Sequence, residues 1–188
     1  MKDDYEVAKT IADRNWDNIA EGMPSSLEQK AERLFESLSA GKGTLFQKLE
    51  KLYIFMDELY TFVAKFTPCK KGCSLCCHNE VSVSLLEAEY IEKHTGIKQS
   101  FNLDIKDFPG TPCPFLNNGA CSIYEHRPFV CRRHVALFDD PRWCQYDLPT
   151  HYVFPHIRFS PVEQSYALIV VSSGTVSTCD IRQAFSRK

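Results

Sequence analysis

"TLFQKLEKLYIFMDELYTFVAKF", residues 44 to 66, sets Leu45, Leu49, Leu52, Met56, Leu59, Val63 and Phe66 at alternating four- and three-residue steps. A 3.6-residue period brings all seven to one helix face. Phe46, Tyr53, Ile54, Phe55, Tyr60 and Phe62 widen that face, which predicts burial on more than one side. Such a helix is either a core or bundle helix or the seam of a homodimer.

Two further helices precede it. Residues 4 to 21 carry Tyr5, Ala8, Ile11, Ala12, Trp16 and Ile19 at helical spacing before Gly22, and Met23-Pro24 reads as a turn. Ser25-Ser26-Leu27-Glu28 has the form of a capping box, followed by a stripe of Leu27, Ala31, Leu34, Phe35 and Leu38 that Gly41 closes. Beyond Pro68, which ends the 44–66 helix, periodicity returns in "SLLEAEYIEKHTG", with Ser84 and Glu87 as a second capping box and Gly96 as the stop. "HRPFVCRRHVALF" predicts a short helix with Pro128 in its first turn. "SPVEQSYALIVVSSG" predicts another, with Ser160 as cap, Pro161 first, Glu163 third and Gly174 as the stop. Val81 and Val83 alternate with serines and suit one short strand, without a second of similar quality. The expected fold is all-α, mainly helical, with an irregular, loop-rich cysteine and metal-binding centre. An N-terminal helical segment, 1–66, is expected to pack with a cysteine-cluster metal-binding domain, 67–188.

"CKKGCSLCCHNE", residues 69 to 80, then places four thiols within nine positions as Cys69-x3-Cys73-x2-Cys76-Cys77. A chain of 188 residues buries a core without covalent staples. Nine cysteines are about 5 % of it, below the ~8–10 % of small secreted disulfide scaffolds, and an odd number cannot pair completely within a monomer. The start, Met1-Lys-Asp-Asp-Tyr, lacks an apolar signal-peptide run, and no stretch approaches ~18 consecutive apolar residues. The expected compartment is the cytoplasm, with no membrane association, where cysteine clusters bind metal or do redox chemistry. A net charge of −2 and a pI near 6.3 argue against broad nucleic-acid binding.

Thiolate ligation needs several sulfurs converging at roughly 2.3 Å from a zinc ion or on the irons of a cluster, and short loops bend to provide this. Cys73 and Cys76 form a Cys-x2-Cys chelate, and Cys69 adds a third point. Adjacent side chains diverge, so Cys77 serves a second centre, bridges, or is simply buried. Cys113, Cys121 and Cys131 follow in "CPFLNNGACSIYEHRPFVCRRH", with Cys144 and Cys179 beyond. A zinc ribbon would need a second Cys-x2-Cys there, and none exists. Lys70, Lys71, Arg127, Arg132 and Arg133 are either counter-charges for thiolates or ordinary solvated cations. His78 and His134 lie beside cluster cysteines as alternative ligands or as capping and packing residues, while His94, His126, His151 and His156 have no ligand-like spacing.

"CKKGCSLCC", "CPFLNNGACSIYEHRPFVCR" and the later Cys144 resemble the YkgJ-type cysteine-cluster family, a zinc- or iron-chelating domain, over residues 69 to about 144. The resemblance implies eight metal ligands: Cys69, Cys73, Cys76, Cys77, Cys113, Cys121, Cys131 and Cys144. Many relatives begin Cys-x2-Cys where this chain has Cys69-x3-Cys73. Cys179 falls outside the resemblance, in a predicted terminal helix, and is expected not to be a ligand. The implied cofactor is zinc or iron, the latter as ions or an iron–sulfur cluster, with a metal ion as the partner. Two other readings compete: a thiol–disulfide redox switch without metal, and a radical S-adenosylmethionine-like enzyme. The ~110 mostly helical residues after the first cluster cannot supply the barrel such an enzyme needs. Hydrolase and phosphate-loop motifs are missing, so no enzyme activity is assigned.

Overall fold

The computed structural model describes residues 2–106, 108–149, 152 and 156–186. Among them are seven α-helices and two small antiparallel strand pairs, a mainly helical fold. Helices α1 (Lys2–Gly22), α2 (Ser25–Ala40) and α3 (Leu45–Val63) follow the apolar periodicities. Their ends differ in part from expectation. Pro24, with φ locked at −62°, is the N-cap of α2 without any side-chain cap, so Ser25 is already helical and forms no capping box. Gly41 ends α2 in extended rather than left-handed backbone. At α3 a capping box unread in the sequence joins Thr44 and Gln47, each side chain accepting the other's backbone N–H. Trp16, on the expected stripe of α1, is partly exposed beside an apolar groove of about 550 Å³ that Ile19, Met23 and Leu27 help to line.

Helix α4 (Leu85–Thr95) has the expected box of Ser84 and Glu87 and ends at Gly96 with φ of 72°. The short α5 (Phe129–Arg133) starts one residue later than expected, with Pro128 as its cap, and α6 (Ser160–Ser172) one residue earlier, with Phe159 as its cap.

The mainly helical expectation holds, and two small strand pairs are added to it. β1 (Ser82–Ser84) has a partner after all in β4 (Thr178–Asp180), with Val83 opposite Cys179. Cys179 therefore lies in a strand, and the terminal helix α7 (Ile181–Ala184) begins after it, capped by Asp180. β2 (Leu116–Asn117) and β3 (Ala120–Cys121) form a hairpin whose two loop residues, Asn118 and Gly119, have φ of 48° and 75°. An Asn-Gly pair is the preferred loop for such a hairpin because both positions need positive φ.

Three apolar cores result. The first gathers α2, α3, α4 and α6 around Leu38, Leu49, Leu52, Met56, Phe129 and Ile169. Most of the wide face of α3 is thus covered within the chain, by α2, α4, α5 and α6, but Ile54, expected on that face, is 70 % exposed. The second packs Tyr5, Ala8, Ala12 and Ile19 of α1 against Val63, Leu137, Phe138 and Trp143. The third joins Val81, Val83, Ile91, Phe115, Ile123 and Ile181. Glu87 crosses between elements. Its carboxylate, 1 % exposed, accepts from Tyr53 of α3 (2.9 Å), the Phe129 N–H of α5 (2.7 Å), Tyr166 of α6 (2.5 Å) and the Ser84 N–H and hydroxyl. A buried carboxylate is tolerated only when satisfied in this way. Among the described residues no helix is long and apolar enough to cross a membrane.

Candidate metal centre

The first four cysteines sit in short turns between α3 and β1. A turn with Gly72 at φ of 95° returns the Cys73 N–H to the Lys70 carbonyl at 3.0 Å. A 3-10 turn, Leu75–His78, then carries Cys76 and Cys77. Cys113 is fastened to it directly, its N–H donating to the Cys77 carbonyl at 2.8 Å. Cys121 comes from β3 and Cys131 from α5. Cys144 ends a 3-10 turn, Pro141–Cys144, and its carbonyl accepts from Asn79 Nδ2 at 3.3 Å.

Six thiols meet in space. Cys73, Cys76, Cys77, Cys113, Cys121 and Cys131 line one cavity of about 60 Å³, walled by Val81, Phe115, Ile123 and Ile181. Cys69 and Cys144 lie on its other flank, in the second core. All nine cysteines are free thiols. Among the described residues no group of three or more Cys, His, Asp or Glu is arranged to hold a single ion. The thiols ring a space, and ligation requires them to draw in.

Their electrostatics follow from burial. Desolvation raises Cys113 to about 11 and Cys144 to about 12, and lifts Cys69, Cys121 and Cys131. Cys76 is raised chiefly by its hydrogen bond to Cys77 and then by burial. Opposing this, backbone N–H groups donate to sulfur: Ala136 to Cys69, Phe115 to Cys113 and Ile123 to Cys121. Such donors favour thiolate and are the contacts metal-bound sulfur uses. The donor set therefore fits zinc or iron in kind: soft, crowded and shielded from water.

Of the five cations, Arg127 alone lines the cavity, its guanidinium 4.0 Å over the Tyr124 ring, and it favours the thiolates of Cys76, Cys121 and Cys131. Lys71 pairs with Glu125 on the surface at 2.7 Å. Arg133 pairs with Glu163 at 2.6 Å. Arg132 is buried, bonded to Asp57 Oδ1 at 2.6 Å and to the carbonyls of Arg127 and Glu125, so it anchors α5 to α3. Lys70 is exposed.

Sequence reading missed Arg182. This α7 side chain is 3 % exposed. It pairs with Asp180 at 2.9 Å and donates to the carbonyls of Cys77 (3.2 Å), Asn79 (3.1 Å) and Thr111 (2.6 Å). Asp180 in turn accepts the Val81 N–H at 2.7 Å. The C-terminal turn thus holds the backbone on both sides of the cysteine cavity, from about 100 residues away. Only the tight Asp180-x-Arg182 spacing hints at this.

His78 stacks on Tyr146, with ring centroids 6.0 Å apart, and His94 on His126 at 4.8 Å. His151 lies outside the described residues. His134, beside His156, lines a second cavity of about 320 Å³ with Cys144 and Tyr146. Burial, aided by His156 and Arg133, holds His134 down to about 4. The unfolded chain protonates this group near pH 6.5, so the contribution is complete above that pH. It is lost as pH falls through 4, and the fall amounts to about 3 kcal/mol. Denaturant titrations of His134→Gln against the parent chain between pH 7 and 4 should show a shallower acid loss in the variant; parallel curves would mean that His134 does not drive it.

Cysteines gathered from short turns and short elements, Cys113 and Cys144 buried and the others half-buried, mark a cysteine-cluster segment. Residues 68–146, less than half of the chain, match the CxxCxxCC family, described as "Putative zinc- or iron-chelating domain". No curated protein and no solved structure matches the chain.

Proposed function

We propose that the chain is a metal-binding protein of the cytoplasm in which Cys69, Cys73, Cys76, Cys77, Cys113, Cys121, Cys131 and Cys144 chelate zinc or iron, with iron held as ions or as an iron–sulfur cluster. The carrying observation is the convergence of six thiols from four separate segments on one cavity of about 60 Å³, within the stretch that the zinc- or iron-chelating family covers. Residues 1–66 act as the helical support of a cysteine domain at 67–188. Bound metal supplies the charge that keeps these sulfurs deprotonated in a desolvated site. Arg127 adds positive charge from the cavity wall, the N–H groups of Phe115, Ile123 and Ala136 orient individual sulfurs, and the apolar walls exclude water. Binding must release protons, so affinity should weaken as pH falls.

Alkylation tests the reading. In reduced, anaerobically prepared protein, Cys73 and Cys76 should resist iodoacetamide until a chelator removes the metal, and then react. Metal content should drop in Cys73→Ser but not in Cys179→Ser, whose residue sits in β4 opposite Val83 and beside Asp180. Equal labelling before and after chelation, with no metal in the parent chain, would leave the metal-free thiol–disulfide reading instead.

A further inference from the structure

The turn that carries Cys76 and Cys77 and the loop that delivers Cys113 are remote in sequence, and neither of the two strand pairs joins them. Backbone bonds supply two ties, from the Gly110 N–H to the His78 carbonyl at 2.9 Å and from the Cys113 N–H to the Cys77 carbonyl at 2.8 Å. A third tie is Arg182. Its Nε donates to the Thr111 carbonyl (2.8 Å) on one segment, while Nη2 donates to Thr111 again and to the Cys77 (3.2 Å) and Asn79 (3.1 Å) carbonyls on the other. A planar fork of five donors can serve several turn carbonyls at once, as an ammonium cannot.

The surrounding turn fixes the aim of this side chain. Asp180 accepts from Nη1 at 2.9 Å and from the Arg182 N–H at 2.8 Å, and Gln183 Nε2 donates to the Ile105 carbonyl at 2.9 Å. The Gln183 and Ala184 carbonyls accept from Asn102 and Ser100. Ile181, 1 % exposed, lines the cysteine cavity and donates its N–H to the Val81 carbonyl at 2.9 Å. One turn thus supplies a wall of the cavity and the cation that joins two thiol-bearing segments. It lies outside the 68–146 stretch that matches the chelating family.

We infer that Arg182 is a positioning residue of the metal site: by gathering the carbonyls of Cys77, Asn79 and Thr111 on one guanidinium, it sets how far Cys77 stands from Cys113 and so how readily these thiols draw in on metal. The inference rests on the metal-binding reading and adds to it a residue that holds no metal itself. Groups that orient a ligand from behind are worth about 10- to 100-fold in metal affinity. Arg182 acts through the peptide groups beside Cys77 and Cys113.

Zinc is the probe and Arg182→Lys the variant, since lysine keeps the charge opposite Asp180 but cannot bridge the carbonyls. By competition with a chromophoric chelator on the reduced full chain, zinc affinity should fall about 10- to 100-fold. In metal-free protein, peptide-mapped iodoacetamide labelling of Cys77 and Cys113 should quicken relative to Cys69, which packs with the second core. The control is Leu49→Ala, in the first core, to which none of the cysteines belongs. Without denaturant, where both variants stay folded, it should show neither change. Should Arg182→Lys fail to fold, Gln183→Ala, which removes the tie to Ile105 and the cap on the Asp180 N–H, should move both readouts in the same direction and less far. Parent-like affinity or parent-like labelling in the variant that folds would overturn the role, as would an equal loss of affinity in Leu49→Ala. A parent chain that takes up neither zinc nor iron would overturn the metal-binding reading instead, and the labelling of metal-free protein then decides by itself whether Arg182 holds the two segments together.

Discussion

Stripping the metal from the reduced protein should raise hydrogen exchange strongly at residues 69–79 and 111–123 while leaving 45–63, 85–95 and 129–133 protected. The released segments are held by short local bonds, such as Cys73 N–H to Lys70 and Asn79 N–H to Cys76, by the Cys113-to-Cys77 and Gly110-to-His78 backbone bonds, and by Arg182 at the carbonyls of Cys77, Asn79 and Thr111. Thiolate ligation contributes on the order of 10 kcal/mol to a structural site, more than such turns gain from burial, so they should open locally. Helix α5 differs although it carries Cys131. Its first N–H is bound by Glu87 and its Arg132 by Asp57, both on bundle helices. Loss of protection spread evenly over the chain would show one cooperative unit, and unchanged exchange at 111–123 would mean that Cys113 and Cys121 hold no metal.

Arg182→Ala should destabilise the protein by about 3–5 kcal/mol, the range for breaking a buried ion pair from one side. The truncation strands Asp180, itself 4 % exposed, and removes the donor to the carbonyls of Cys77, Asn79 and Thr111. Arg182→Lys should recover only part of this, because a compact ammonium cannot serve the carboxylate and three carbonyls as a planar guanidinium does. Denaturant midpoints at unchanged slope would measure it. A loss under about 1 kcal/mol, the usual value of an exposed pair, would show that the Asp180–Arg182 turn does not support the cysteine loop.

The long helices were legible because their cause is local. Leu49, Leu52, Met56, Leu59 and Val63 recur at helical spacing and are all buried. Ser84 and Glu87 formed the expected cap, and Gly96 the expected stop. Other features were written in the sequence but weakly: Asn118-Gly119 is a strong hairpin signal attached to strands of two residues each. Pro24 outcompeted Ser25 as a cap because its fixed φ sets the chain direction at no entropic cost. β1 could not be paired from sequence, since its partner lies almost a hundred residues later and Thr178-Cys179-Asp180 has no alternation of its own.

By itself the sequence determined which residues are thiols, that Cys73 and Cys76 lie within one turn's reach, and which helices have a face to bury. Those follow from side-chain chemistry and from the fixed rise of the backbone over a few residues. Only the tertiary structure decided that Cys113, Cys121 and Cys131 meet Cys76 and Cys77 at one cavity while Cys69 and Cys144 stay on its far flank. It also made Glu87 more than a helix cap and gave Arg182 a role in the cysteine loop. Spacing along a chain bounds distances across a turn; across 30 to 100 residues the distance is set by which apolar faces find each other, and that is a property of the packed whole.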